Sequence, residues 1–415
     1  MRFAHLADLH LGSWRDQKIR DISTQAFLKA IDDCICRKVD FVLFAGDLFN
    51  TSIPPLDILK IVTKKLNELK QNNIPLYVIA GSHDFSPSGK TILDVLENAG
   101  LMINVCKGSV NPGSKQLELK FTIDSKTKTK ITGVLGRRGL LDKTYYENLN
   151  REVLENQNNN NENYKIFMFH TTITELKPKH LEIIESQPAS FLPKGFNYYA
   201  GGHIHHPTKI EVENIGTLTY PGALFPNNFL ELEKYSNGGY YLIDYNENIN
   251  TQNIEWVPVK IIEHEKLILD CKRKSAIQIN QEIKNHFSNK EIKNKIVTIR
   301  LFGELIEGRS SDINFPEITD WFYQKGTSFV MRNTSKLSSK EFEEIKINTK
   351  ETSLEETEEK IIKEHLQQIN LFDKNKELQL VKELIQTLNT KKQEGEKNYD
   401  FDEKICKEIE ILMNH

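Results

Sequence analysis

Cysteine is scarce in this chain of 415 residues: the five present, Cys34, Cys36, Cys106, Cys271 and Cys406, are odd in number and scattered. Cys34 and Cys36 stand two apart on a predicted helix and point in different directions. Neither a disulfide framework nor a thiolate metal knot is expected, and the thiols read as a reduced cytosolic set. Long apolar runs are also missing. A stretch of about 18 apolar residues, the minimum for a membrane span, occurs nowhere. The opening MRFAHLADLHLG passes from a short strand straight into polar residues, unlike a secretory leader. The expectation is a soluble cytoplasmic protein with no membrane contact. A strong charge of one sign is absent too, since the net charge is only −3. That balance hides a division. Residues 341–415 hold 19 acidic and 12 basic side chains, leaving 39 acidic and 43 basic ones in residues 1–340. A mildly basic body permits phosphate binding without requiring it.

The length suggests two or three domains. In the first half, short apolar runs alternate with amphipathic stretches. Arg2–Ala7 reads as a strand, Ile19–Lys38 as a helix and Phe41–Ala45 as a strand. A helix opened by Pro54-Pro55 runs to about Gln71, before the strand Leu76–Ala80. Such alternation builds βαβ units. Further strands are expected near Leu117–Ile123, Lys130–Leu135 and Lys165–Phe169, and the asparagine-rich stretch Asn156–Asn163 reads as a solvated loop. After Gly201-Gly202 the pattern turns to strands alone: Thr208–Val212, Thr217–Tyr220, Tyr240–Tyr245 and Asn253–Val259. This order fits a two-layer or four-layer α/β sandwich over residues 1–260. Residues 261–334 read as a smaller α/β unit, with helices Ser275–Phe287 and Phe315–Tyr323 and the strand Ile296–Leu301. Residues 335–359 are rich in Ser, Glu and Lys and read as a linker. In residues 360–415, Leu378, Val381, Leu384, Ile385 and Leu388 fall at helical spacing, as do Ile405, Ile409 and Leu412. Two short amphipathic helices cannot bury such stripes alone, so they dock on a partner or on their own body.

Five short segments place Asp, His and small residues at or beyond strand ends. They are Asp8-Leu9-His10, Gly46-Asp47, Gly81-Ser82-His83-Asp84, His170, and Gly201-Gly202-His203-Ile204-His205-His206. In open α/β sheets, ligands bind beyond the carboxyl ends of strands, so all five converge on one rim. Carboxylate and imidazole donors suit divalent ions such as Mn²⁺ better than a structural zinc, which favours thiolates. Asp8 and His10 lie two apart in an extended segment and can face one ion, and so can His203 and His205. The two oxygens of Asp47 can bridge a pair of ions, which at about 3.5–4 Å separation stabilise both oxygens of an in-line displacement. Each piece alone has a plainer explanation: a strand-end His is usually structural, and an Asp after Gly is usually a turn former. His5, mid-strand, and His180, in a polar helix, are read as structural. Five pieces in order, each closing an apolar run, are not expected by chance.

The ordered set Asp-x-His, Gly-Asp, Gly-x-His-Asp, His and Gly-His-x-His resembles the calcineurin-like metallophosphoesterase pattern. The segments Phe3–Gly12, Gly46-Asp47-Leu48-Phe49 and Tyr220-Pro221-Gly222 more narrowly resemble the SbcD and meiotic-recombination-eleven nucleases of double-strand-break repair. The likeness runs to about residue 260, includes Thr298–Gly308 further on, and extends to the tail in architecture only. It implies a metallophosphoesterase sandwich of mixed β-sheets flanked by helices, with a small α/β DNA-binding cap. It also implies a C-terminal helical segment that binds the coiled coil of an SMC-like ABC ATPase. Residue by residue, it implies one ion on Asp8, His10, Asp47 and His205, and a second on Asp47, Ser82, His170 and His203. His83 would face the scissile phosphate and Asp84 would orient its ring. The implied cofactors are two Mn²⁺ per subunit or other divalent ions, and the implied activity is exonucleolytic and endonucleolytic cleavage at double-stranded DNA ends. A nucleoid-associated homodimer is implied as well, with the helix Ile58–Leu69 as a candidate dimer surface.

Two positions depart from that pattern. Ser82 stands where the family carries Asn, and a hydroxyl is a shorter and weaker donor than an amide carbonyl. Asn50 stands where a His associated with exonucleolytic cleavage is common, which shifts the expected balance toward endonuclease or toward weak activity. Arg137-Arg138, Lys126–Lys130 and Lys272–Lys274 are clustered cations that could touch a phosphate backbone, although charge runs are ordinarily solvated faces. Two other functions compete with the nuclease: a same-fold phosphodiesterase for small substrates, and a DNA-tethering, ATPase-regulating subunit with a weakened site. The cap and tail are surplus to the first. The intact Asp and His positions argue against the second.

Overall fold

The computed structural model describes residues 1–86, 91–137, 141–156, 163–177, 186–307, 309–339, 362, 366, 374–390, 392 and 398–413. Arg138, His180, most of the asparagine-rich stretch and most of the expected linker lie outside them.

The chain opens with β1 (Arg2–Leu6), α1 (Gln17–Cys36), β2 (Phe41–Ala45), α2 (Leu56–Gln71), β3 (Leu76–Ile79), α3 (Ile92–Asn98) and β4 (Ile103–Asn104). It continues through β5 (Gly108–Val110), β6 (Leu117–Leu119), β7 (Thr122–Ile123), β8 (Lys130–Val134), α4 (Lys143–Glu147), α5 (Arg151–Asn156), β9 (Lys165–His170) and β10 (Tyr198–Gly202). Then come β11 (Thr208–Val212), β12 (Gly216–Tyr220), α6 (Phe229–Tyr235), β13 (Gly238–Asn246) and β14 (Thr251–Val259). These strands form two six-stranded sheets, ordered β14-β13-β1-β2-β3-β4 and β11-β12-β10-β9-β8-β7. In the first sheet β1, β2 and β3 run parallel, and in the second β8, β9, β10 and β12 do. Antiparallel strands close one edge of the first sheet, whose other edge is the parallel β4, and both edges of the second, so both sheets are mixed.

The apolar pattern sets the layers. In β2, Phe41, Leu43 and Ala45 point into one buried cluster and Val42 and Phe44 into another. A strand buried on both faces has to read as an unbroken apolar run, which is what Phe41–Ala45 does. The cluster holding Phe3, Phe41 and Tyr77 also holds Ile166, Met168 and Tyr198, so it is the core between the two sheets. Residues of α1 and α2 cover the outer face of the first sheet, and Tyr146, Leu154 and Leu192 cover that of the second. The result is a four-layer α/β/β/α sandwich, one of the two architectures expected.

Downstream lie β15 (His264–Asp270), α7 (Ala276–Ser288), β16 (Ile296–Leu305), α8 (Phe315–Gln324) and β17 (Phe329–Ser339), with sheet order β15-β16-β17. Helices Lys374–Leu388 and Asn398–Met413 pack on one another. By its contacts the chain forms two units. One is Met1–Leu269, Asn280–Leu301 and Asn314–Ser335, and the other is Asp270–Ile279, Phe302–Ile313 and Lys336–His415. Among the described residues no helix is long and apolar enough to cross a membrane.

Several expectations are corrected. The region after Gly202 is not all strand, because Asn228 caps α6 by accepting from the Glu231 N–H. Leu117–Ile123 is broken into two short strands, and α3, β15 and β17 were not anticipated. The apolar stripe of α2 is not open to a second copy: Ile58, Val62, Leu66 and Leu69 are buried in the body's own core. Apolar surface is left instead just before and at the start of that helix, where Ile53 is 85% and Leu56 81% exposed.

Candidate metal centre

Parallel neighbours deliver their carboxyl ends to one rim. β1, β2 and β3 end just before Asp8, Asp47 and the Ser82–Asp84 segment, while β9 ends on His170 and β10 just before His203. The rim is laced by backbone bonds, from Asp8 N–H to the Gly46 carbonyl (3.1 Å) and from His10 N–H to the Asp47 carbonyl (2.9 Å). These bonds hold unusual conformations. Asp8, His10, Asp47 and His203 have φ of 52°, 43°, 54° and 92°, a region uncommon for residues other than glycine. Left-handed backbone costs an L-residue about 1–2 kcal/mol. Four such residues at one rim mark a place where side-chain direction outweighs local stability. Glycines make room for them. A Cβ on Gly46, itself at φ 89°, would fall 2.2 Å from His170 Nδ1, and one on Gly81 would fall 2.2 Å from Asp47 Oδ1.

The side chains gather in three overlapping groups: Asp8, His10 and His205; His10, Asp47 and His83; and Asp8, Asp47 and His170. Within each, the candidate ligand atoms lie within 4.8 Å of one another. Three of the rings are oriented through Nδ1. His170 donates to the Ala45 carbonyl (2.8 Å), His83 to the Asn50 carbonyl (2.8 Å) and His205 to the Glu231 carboxylate (2.9 Å). An acceptor on Nδ1 fixes the proton there and leaves the Nε2 lone pair as the available donor to a cation. His205 Nε2 lies 3.1 Å from His10 Nε2. His170 Nε2 is buried, 3.2 Å from Asp47 Oδ2, yet not aligned for a hydrogen bond with any group among the described residues. A buried imidazole nitrogen that faces a carboxylate without bonding it fits a divalent cation.

The electrostatics agree. Burial pushes the Asp8 carboxyl up to about 6. Burial also opposes charge on His170 and Asp47, but their mutual attraction outweighs it, lifting the His170 ring to about 10 and lowering the Asp47 carboxyl. Asp84 is pushed up to about 6, by burial and then by the charge of Asp47. A proton on His170 Nε2 and a metal ion would compete for the same lone pair, so metal binding here is coupled to proton release.

The remaining expected residues are placed as follows. The Ser82 hydroxyl donates to Asp47 Oδ2 at 3.4 Å, which puts it beside the shared carboxylate. The His203 side chain is exposed, its ring centroid is 5.2 Å from that of His170, and its backbone N–H donates to both Asp8 oxygens (2.9 and 3.0 Å). Asp84 does not take the task expected of it. Its oxygens accept from the N–H groups of Gly81, Leu48 and Phe49, so it ties two loops together, and the acceptor on His83 Nδ1 is the backbone of Asn50. Asp8 belongs to two groups, not one. Glu231 was missed altogether. It holds His205 and also accepts from the Asn227 N–H, and the Asn-x-x-Glu start of α6 was a signal that could have found it.

Residues 1–207 match the family model described as calcineurin-like phosphoesterase. The chain is 28% identical over 382 residues to the DNA double-strand break repair protein Mre11 of Methanococcus maripaludis, covering 89% of this chain and 92% of that one. It is 29% identical over 309 residues to the protein of the same name from Methanocaldococcus jannaschii, covering 71% and 73%. A third, from Saccharolobus solfataricus, is 27% identical over 332 residues, covering 76% and 73%. Through residues 1–207, whose strand ends carry the whole cluster of Asp and His described above, the chain belongs to the calcineurin-like phosphoesterase family.

Proposed function

We propose that this chain is a Mn²⁺-dependent nuclease that processes DNA ends in double-strand-break repair. The observation that carries the reading is the His170–Asp47–Asp8 group, a buried cation-shaped donor set at a strand-end rim. It occurs in a chain similar over about nine-tenths of both lengths to a break-repair protein. The family fold implies a dimetal site. Asp8, His10, Asp47 and His205 would hold one ion, and Asp47, Ser82, His170 and His203 the other, with Asp8 near enough to both groups to be shared. When bound, the ions would supply Lewis acidity toward the phosphate and lower the pKa of water at the rim.

The chain's own groups do the rest. His83 has its Nδ1 proton on the Asn50 carbonyl, so the ring donates from Nε2 only as the imidazolium. In that form it would neutralise charge on the phosphate or protonate the departing oxygen. Asp84 and the His83 N–H, which donates to Asp47 Oδ1 at 2.7 Å, fix the loop that carries the ring. Asn50 supports a lean toward endonucleolytic cleavage. The helices Lys374–Leu388 and Asn398–Met413, with Leu388, Ile411 and Met413 exposed, would dock on the coiled coil of an SMC-like ATPase.

The test is Mn²⁺-dependent degradation of linear duplex and hairpin DNA, with a small phosphodiester in parallel. The wild type should cut DNA, and His83→Gln should lose about 100-fold or more, the usual contribution of a general acid, while still binding Mn²⁺. Hydrolysis of the small ester without any cleavage of DNA would replace this reading with the small-substrate one. Removing residues from 354 onward should abolish ATPase capture and leave cleavage intact.

A further inference from the structure

Arg137 lies three residues beyond the end of β8, on backbone pressed against the centre. The Gly136 N–H donates to the Ala80 carbonyl (2.9 Å), and a Cβ at Gly136 would come within 2.5 Å of the His170 ring. The guanidinium carbon sits 4.5 Å from the ring centroid of Phe85, two residues past His83, and 5.8 Å from that of Tyr145. The half-buried side chain therefore stands between the loop that carries His83 and the strand end beside His170.

Its donors are poorly used. Nη1 donates to the Tyr145 hydroxyl at 3.2 Å, and the buried Nε has no acceptor among the described residues. Asp142 feels the charge but forms no ion pair with it among the described residues. Arg151 behaves differently: it gives Nε and Nη2 to the Phe191 carbonyl and Nη2 also to the Tyr146 carbonyl. Arg300 shares a buried unpartnered nitrogen, Nη2, but its Nε is held by the Glu233 carboxylate, an anchor of a kind Arg137 lacks among the described residues. A desolvated donor left unmade costs about 1–3 kcal/mol. A guanidinium already held over the Phe85 ring has lost rotamer freedom in advance, and its planar fork matches a phosphate.

We infer that Arg137 binds a non-scissile phosphate of the polynucleotide, next along the strand to the diester at the metal centre. This rests on the nuclease reading and adds a second anion site to it. The contact separates a nucleic-acid strand from a lone phosphodiester, because only the strand has a neighbouring phosphate to offer.

The experiment compares wild type, Arg137→Gln and Arg137→Lys on a short duplex oligonucleotide and on bis(p-nitrophenyl) phosphate at saturating Mn²⁺. Binding of the same oligonucleotide is measured in Ca²⁺, and melting temperatures are recorded. Arg137→Gln should raise KM and the dissociation constant for the oligonucleotide about tenfold, with kcat and ester hydrolysis within about twofold. The salt slope of binding should fall by about one, and Arg137→Lys should recover part of the loss. Unchanged oligonucleotide affinity would overturn the assignment. Equal losses on both substrates, or a matching drop in melting temperature, would mark a structural role and overturn it as well. A wild type that binds the oligonucleotide in an Arg137-dependent way without cutting it would sink the nuclease reading and leave this site standing. Absence of any oligonucleotide binding would remove both.

Discussion

Glu231 Oε1 lies 2.9 Å from His205 Nδ1, and the same carboxylate is fixed by the Asn227 N–H and the Asn228 side-chain amide. A carboxylate held at three points aims the imidazole rather than merely neutralising it. Glu231→Ala should therefore lower Mn²⁺ affinity by about 10–100-fold, the usual effect of losing such a support. The melting temperature measured in chelator should change little. Calorimetric Mn²⁺ titration checks this, and unchanged affinity would show that the pair is incidental.

Ser82 offers a second handle. Its hydroxyl reaches Asp47 Oδ2 only at 3.4 Å, whereas an amide carbonyl is both longer and a better metal donor. Ser82→Asn should let the second Mn²⁺ bind several-fold more tightly, seen as two equivalents per chain at lower free metal. A stoichiometry and affinity like those of the wild type would mean that position 82 does not reach an ion.

Gly81 has no room for a side chain. Its added Cβ would meet Asp47 Oδ1 at 2.2 Å and the Asp47 amide nitrogen at 2.3 Å, and backbone cannot swing aside. Gly81→Ala should cost about 1–3 kcal/mol of stability. Cleavage should fall much further than folded protein does, because the group displaced is the shared carboxylate. Denaturation midpoints and Mn²⁺-dependent cleavage, measured on the same sample, separate the two effects.

His5 sets a pH dependence away from the cluster. Its ring is fully buried, bonded through Nδ1 to the Tyr198 hydroxyl at 2.9 Å, and burial holds it down at about 3. An unfolded His titrates near 6.5. Between those values the unfolded chain takes up a proton that the native chain refuses. This contribution to stability is thus fully present above about pH 6.5 and declines as pH falls toward 3. The slope approaches about 1.4 kcal/mol per pH unit. Urea unfolding in chelator should show wild type and His5→Asn converging as the pH drops from 7 to 4. Parallel curves would rule this out.

The five strand-end segments were readable because two short-range signals coincide, an apolar run and a polar residue at its end. What surrounds them was less so. Asn50 acts on His83 through a backbone carbonyl, and a carbonyl has no residue-type signature. Glu231 reaches His205 across 26 positions from a helix in a stretch that read as strands. β15 and β17 escaped because His264–Asp270 and Phe329–Ser339 are largely half-exposed and polar, without a long apolar run. The α2 stripe was visible as a stripe, but periodicity does not say what covers it, and here the covering is the chain's own first sheet.

The inter-sheet core has a consequence beyond stability. Asp8, Asp47 and His83 hang from one sheet, and His170, His203 and His205 from the other. The two halves of the cluster are therefore registered by the few rim hydrogen bonds between them, such as His170 Nδ1 to the Ala45 carbonyl, and by the packing of residues such as Phe3 and Phe41 against Tyr198 and Met168. That layer works as the spacer of a gauge. Trimming one side chain in it lets the sheets slide by a fraction of an ångström long before either melts. In such a chain the temperature at which activity fades should lie below the one at which the fold is lost. Tolerated changes in one sheet's inner face should come paired with changes in the other's.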